Sequence, residues 1–199
     1  MAYLSCMHAS LAATTALILV SIGTASAGTV YCSDLKTLSA TSGWSTVQKD
    51  KSIDQKPITL KGVVYPKGLG THSPSEIVYA LDGRYALFAA DVGLDDETSG
   101  KGSVEFQVFV DDSLIFKSGI LRGGMAPQGI SVNVAGGKKL KLVATIGGDS
   151  YDWDDADWAG ARLTEIQATG IHGTGRGFRS VGLERPGQRF DLKGRESPE

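Results

Sequence analysis

The chain has 199 residues, 20 Lys and Arg against 22 Asp and Glu, and a formal net charge of -2. That length suits one domain with terminal extensions, and a domain of this size buries its own core. The near balance of charge excludes electrostatic capture of nucleic acid or of an anionic membrane surface as the basis of function.

Leu11 to Ile22 is an apolar run with only small polar interruptions, too short to span a bilayer, and Ala25-Ser26-Ala27 supplies the small residues a signal peptidase accepts before Gly28. Residues 1–27 are therefore expected to be a signal peptide, although no Lys or Arg lies among the first ten residues. The mature protein is expected to be secreted or periplasmic, with no membrane attachment of its own. Cys6 lies within that segment, which leaves Cys32 alone and the mature chain without an intramolecular disulfide. Within the run Thr29 to Cys32, this cysteine is expected to be a small buried side chain rather than a nucleophile.

From Gly28 onward the pattern is that of short strands. A turn of helix is expected within Ser33 to Leu38 and a glycine-rich turn at Gly68 to Ser73. Strands are expected at Ile58 to Val64, Glu76 to Leu81, Tyr85 to Val92, Val104 to Val110, Leu114 to Lys117, Ile130 to Val134, Leu140 to Ile146 and Ala161 to Ile166. Asp82-Gly83, Asp111-Asp112-Ser113, Gly123-Gly124, Gly136-Gly137 and Gly147-Gly148 punctuate them with turn chemistry. Val104, Phe106, Val108 and Val110 share one face of their strand while Glu105 and Gln107 share the other, and Leu140, Leu142 and Ala144 repeat the theme. About eight strands with no long helical period predict an all-β protein, an antiparallel β-sandwich of jelly-roll type, over residues 28–170. Residues 171–199 are rich in Gly, Arg and Pro with only single apolar residues, and are expected to form a flexible tail.

GGDSYDWDDADWAGARL, from Gly147 to Leu163, holds Asp149, Asp152, Asp154, Asp155 and Asp157 together with Trp153 and Trp158. A cation loop, a catalytic carboxylate pair and a ligand-receiving rim all fit such a segment. The spacing lacks the central glycine and distal glutamate of an EF-hand, so only an irregular Ca2+ site stays open, and the scarcity of Cys and His disfavours zinc. Glycoside hydrolysis would need two carboxyls across a scissile bond, for which Asp149 with Asp154 or Asp95 with Asp157 are the candidates. Against an enzyme stand the absence of a Ser/His/Asp constellation and of a nucleotide-binding loop, GKGS at Gly100 to Ser103 being too short for one. A sugar needs charge-assisted hydrogen bonds for its hydroxyls and an aromatic face for its C–H surface. Residues at strand ends that supply these are His72, Asp95, Asp96, Arg122, Asp149 and Trp153. Each has a structural alternative: His72 as a turn-fixing loop residue, Asp95 and Asp96 as turn caps, Arg122 as a solvated or paired side chain. Trp44 and Trp158, beside small and apolar residues, are expected in the core.

Trp44 in SGWSTVQKDKSID, YPKGLGTHSPSEIVYAL from Tyr65 to Leu81, DVGLDDE from Asp91 to Glu97, and the acidic segment resemble, in this order, the signature segments of the NPCBM domain, carbohydrate-binding module family 51. The resemblance covers about Tyr31 to Thr169. It implies a non-catalytic β-sandwich that binds glycans, particularly galactose-containing ones, of the kind attached to glycoside hydrolases of families 95 and 98. The expected partner is a glycan or oligosaccharide, and the expected state a monomer. One departure stands out: where the family commonly shows Asp-His-Ala-Asp-Trp, this chain has Asp154-Asp155-Ala156-Asp157-Trp158, a carboxylate replacing an imidazole. A sandwich serving as scaffold or protein-interaction domain is the alternative.

Overall fold

The computed structural model describes residues 27–148 and 150–167; the proposed signal segment up to residue 26, Asp149 and the C-terminal tail lie outside the described residues. Strands β1 (Thr29–Tyr31), β2 (Ser39–Thr41), β3 (Gln48–Lys49), β4 (Ile58–Leu60), β5 (Val63–Tyr65), β6 (Gly68–His72) and β7 (Ser75–Ala80) come first. They are followed by β8 (Tyr85–Leu94), β9 (Ser103–Val110), β10 (Ser113–Arg122), β11 (Gln128–Asn133), β12 (Lys139–Ile146) and β13 (Asp155–Glu165). Single 3-10 turns at Cys32–Asp34 and Asp96–Thr98 complete the described elements.

One sheet has the order β11-β8-β13-β6-β3, with β1 also paired to β13; the other runs β10-β9-β12-β7-β2. Every pairing is antiparallel. The expected β-sandwich is what forms, because the alternating strands each turn one apolar face inward. Val104, Phe106 and Val108 of β9 and Leu140, Leu142 and Ala144 of β12 are fully buried. Opposite them lie Leu69, Phe88, Val92 and Leu163, and Trp158 stands edge-on to Phe106 at 5.1 Å between ring centroids. Cys32 is buried in the same core, and burial pushes its thiol up to about 12, so it is inert.

Three expectations are corrected. Ile58 to Val64 is not one strand but the hairpin β4–β5, which turns at Lys61 (φ 52°) and Gly62 (φ 80°). Gly68 to His72 is not a turn but a strand buried along its whole length. Its glycines answer to close approach: a Cβ on Gly70 would fall 2.4 Å from the Lys51 carbonyl oxygen. Strand β13 begins at Asp155 rather than Ala161, since the alternate residues Asp155, Asp157 and Ala159 are covered rather than solvated.

The strands meet loops at two ends. One end is closed by short turns around Asp82-Gly83, Asp111-Asp112 and Gly136-Gly137. At the other, β6, β8, β10 and β12 finish while β7, β9, β11 and β13 begin, and longer segments at 42–47, 95–102 and 147–154 gather there.

Candidate functional site

His72 ends β6 directly opposite Asp155, the first residue of β13. Cross-strand neighbours point to the same face, and the His72 Nε2 lies 3.9 Å from Asp155 Oδ1. The imidazole is only 8 % exposed. Its Nδ1 is 2.8 Å from the Ser73 carbonyl, which can only accept, so Nδ1 carries a proton and Nε2 faces the rim.

Two exposed aromatic rings flank this imidazole. Trp44 and Tyr151 each stand edge-on to it at 6.2 Å, from opposite loops. Trp44 is 53 % exposed and Tyr151 59 %. Trp44 was expected in the core; it is instead held at the surface by a stapled loop. Ser42 Oγ accepts from the His72 backbone N–H at 2.9 Å and donates to the Trp44 carbonyl at 2.8 Å, and the Gly43 N–H donates to the His72 carbonyl. A Cβ at Gly43 would lie 2.4 Å from the Ser73 carbonyl oxygen, so glycine permits that approach.

Asp154 fastens the neighbouring loop. Fully buried, it accepts from Ser73 Oγ at 2.6 Å and from the Ser103 N–H at 2.9 Å, while its own carbonyl accepts from the Ser73 N–H. One carboxylate thereby joins the β6–β7 corner, the start of β9 and the segment that carries Tyr151 and Trp153.

Asp95 is 2 % exposed, and its oxygens accept from the Thr59 and Glu97 N–H groups at 2.9 Å. Asp96 accepts from the Lys61 and Gly62 N–H groups at 2.9 and 2.7 Å. Both therefore serve as caps that hold the β4–β5 hairpin, the alternative set beside their ligand role. Arg122 is exposed at the end of β10, its N–H directed at Met125 Sδ. Trp153, at φ 66°, is 49 % exposed and lies under the Lys101 ammonium, 4.2 Å from its ring centroid. Asp149 lies outside the described residues. Of the six predicted site residues, His72 occupies the centre of the aromatic rim and Trp153 stands on the same end next to Asp154; Asp95 and Asp96 support from behind.

From Asp155 at the rim a set of acids leads inward to the buried Asp95 and Asp157. Asp155 is pushed up to about 6, chiefly by burial and then by Glu97, with His72 acting in the opposite direction and Asp54 and Asp95 adding a little. Burial outweighs the 3.9 Å pairing with His72. Asp157 is 1 % exposed and held well above the usual carboxylate range, first by burial and then by its hydrogen bond to Asp95. As an anion it would have no donor at either oxygen; as an acid it donates toward Asp95. Lys56 offsets part of this charge from outside, 3.2 Å from both Asp54 and Glu97. Among the described residues no group of three or more His, Cys, Asp or Glu has the geometry to hold a metal ion. The pair Asp95 and Asp157 is closed to solvent and Asp154 is fully buried, so neither suggested carboxylate pair presents two exposed acids to a substrate.

Sequence reasoning missed Trp44, Tyr151 and Asp155 as rim residues. The signal for Tyr151 was available, since it shares the acidic segment with Trp153; that for Trp44 was masked by its small neighbours, which turned out to be loop staples.

The profile of the NPCBM/NEW2 domain matches residues 28–164. The chain belongs to the NPCBM/NEW2 family. An NPCBM/NEW2 chain of this kind is a carbohydrate-binding β-sandwich module of family 51, and the relatives that carry it are named for glycoside hydrolases and related enzymes. A family 51 module from a Clostridium perfringens family 95 glycoside hydrolase, solved in complex with methyl-galactose, is 42% identical. It superposes with a TM-score of 0.67 over 69% of this chain and 100% of that one. A second module, from C. perfringens ZmpB in complex with GlcNAc, is 35% identical with a TM-score of 0.66, over 69% of this chain and 31% of that one. A Renibacterium salmoninarum protein with a provisional endo-alpha-N-acetylgalactosaminidase name is 36% identical over 140 residues, 67% of this chain. The present chain spans only 9% of that protein's length, and 14% of an alpha-1,3-galactosidase B from Akkermansia muciniphila to which it is 34% identical over 113 residues.

Proposed function

We propose that this protein is a secreted or periplasmic, non-catalytic module that binds terminal galactose-type residues of glycans at the rim around His72, acting as a monomer beside or within a glycoside hydrolase system. The observation that carries this is the pair of exposed rings, Trp44 and Tyr151, set edge-on against one buried imidazole whose Nε2 and the adjacent Asp155 carboxyl remain for hydroxyl groups. An aromatic ring packs on the C–H face of a pyranose, while a histidine nitrogen and a carboxyl read the orientation of its hydroxyls. The 42% identical module that holds methyl-galactose supports the choice of sugar. A neutral monosaccharide buries little apolar surface and gives up many water contacts, so the expected dissociation constant is on the order of micromolar to millimolar. Calorimetric titration with methyl-galactoside, lactose and GlcNAc, alongside incubation with chromogenic galactosides, tests the proposal. Saturable binding of the galactosides without turnover is expected; turnover, or no heat from any of the sugars, would overturn it.

A further inference from the structure

The rim carries a second aromatic feature that the galactose reading leaves unused. Lys101 Nζ rests 4.2 Å from the centroid of the Trp153 ring, itself 49 % exposed. Of the described lysines that rest on an aromatic ring, Lys67 and Lys141 also reach a carboxylate, whereas Lys101 has no ion-pair partner among the described residues. An ammonium held on a ring face keeps its N–H donors for an anion and is already partly stripped of water.

The loop that carries it is held by close backbone approaches. A Cβ at Gly102, whose φ is +80°, would fall 2.1 Å from the Trp153 carbonyl oxygen, and one at Gly123 would fall 2.1 Å from that of Lys101. The 100–102 loop is thus clamped between the Trp153 segment and the turn after β10. Arg122 is exposed at the start of that turn, and Lys61 reaches it from the β4–β5 hairpin, its Nζ donating to the Gly124 carbonyl at 2.7 Å. The nearby Asp96 and Asp154 carboxylates are committed to backbone N–H and serine hydroxyl donors.

The geometry points to a second subsite at Lys101 and Trp153 that takes an anionic substituent, a sulfate ester or the carboxylate of an acidic sugar, on a glycan whose neutral hexose is seated at His72. This rests on the function proposed above. Lys101 moves from the ring to the anion, and the vacated indole face receives the sugar ring.

The test is calorimetry on the full chain with galactose against its 3- and 6-sulfates, and lactose against 3′-sialyllactose, at about 50 and 500 mM NaCl, for the wild type, Lys101→Met and Trp153→Ala. At low salt at least one anionic probe is expected to bind about tenfold more tightly than its neutral parent, an advantage that shrinks at high salt. Lys101→Met, with its melting curve unchanged, is expected to lose that advantage. A gain in the sulfate arm alone assigns a sulfate ester, in the sialyl arm alone an acidic sugar, and in both a site that reads charge. Neutral binding with no anionic preference, or a preference that survives Lys101→Met, would overturn this inference and leave the galactose reading intact. Absence of binding by every probe would overturn both.

Discussion

At one end of the sandwich Asp82, Asp111 and Asp112 lie in solvent at left-handed φ values of 49°, 47° and 66°. At the other, Asp95, Asp154 and Asp157 are buried, each at most 2 % exposed. In the first group the aspartates sit in exposed turns, and Asp111 ties its turn to the next by accepting from the Lys138 and Lys139 N–H groups. In the second, Asp154 is the fixed point from which the loop presenting Tyr151 and Trp153 to solvent hangs, and Asp95 holds the β4–β5 hairpin. The same residue type therefore marks exposed turns at one end and anchors the aromatic rim at the other. Burying a carboxyl costs stability unless donors or a proton compensate it, and that cost is concentrated at the end that carries the aromatic rim.

The comparison breaks most visibly at Asp154. Asp154→Ala leaves the Ser73 hydroxyl and the Ser103 N–H without their buried acceptor and is expected to cost about 3–5 kcal/mol in urea unfolding. Asp111→Ala at the opposite end is expected to cost about 1 kcal/mol or less. Equal losses would erase the distinction between the two ends.

Asp155 sharpens it through pH. Its native carboxyl is pushed up to about 6 from an ordinary 3.8, so the native state holds this proton more tightly than the unfolded chain does. The associated stability is fully present below about pH 4 and is lost as pH rises through about 6. Asp155→Asn is accordingly expected to be more stable than the wild type by about 2–3 kcal/mol at pH 7.5, with the difference vanishing near pH 4. A variant less stable than the wild type at pH 7.5 would show that the contact with His72 outweighs burial.

The smallest effect separates binding from folding. Trp44→Ala and Tyr151→Ala remove exposed rings, and each is expected to weaken galactoside binding about tenfold while changing unfolding free energy by less than about 1 kcal/mol. Asp112→Ala is expected to change neither quantity, as read by calorimetry and urea melts.

The sheets were legible because alternation and turn residues report which face of a strand is dry, as in Val104, Phe106 and Val108 or Leu140, Leu142 and Ala144. Strand β6 was not, since Gly68 and Gly70 serve a close backbone approach that no local pattern distinguishes from a turn. The start of β13 was obscured for a related reason: Asp155 and Asp157 look solvated in sequence, whereas tertiary packing covers them and sets them beside Asp95 and Glu97, remote in the chain. At the rim, His72 and Trp153 stood out as chemistry-bearing residues at strand ends. The roles of Asp95 and Asp96 depended on which N–H groups reached them, and Trp44 became a surface ring only through its contacts with Ser42 and His72, 30 residues apart in sequence. Such tertiary hydrogen bonds leave no periodic trace.

The central claim is tested most directly by titrating methyl-galactoside into the isotope-labelled protein and following backbone amide and Trp side-chain resonances. Saturable shifts concentrated at the Trp44 indole, His72, Tyr151 and Asp155 are expected, with the turns at Asp82 and Asp111 silent. Shifts confined to those distant turns or to the outer sheet faces, with Trp44 and His72 unmoved, would contradict the account.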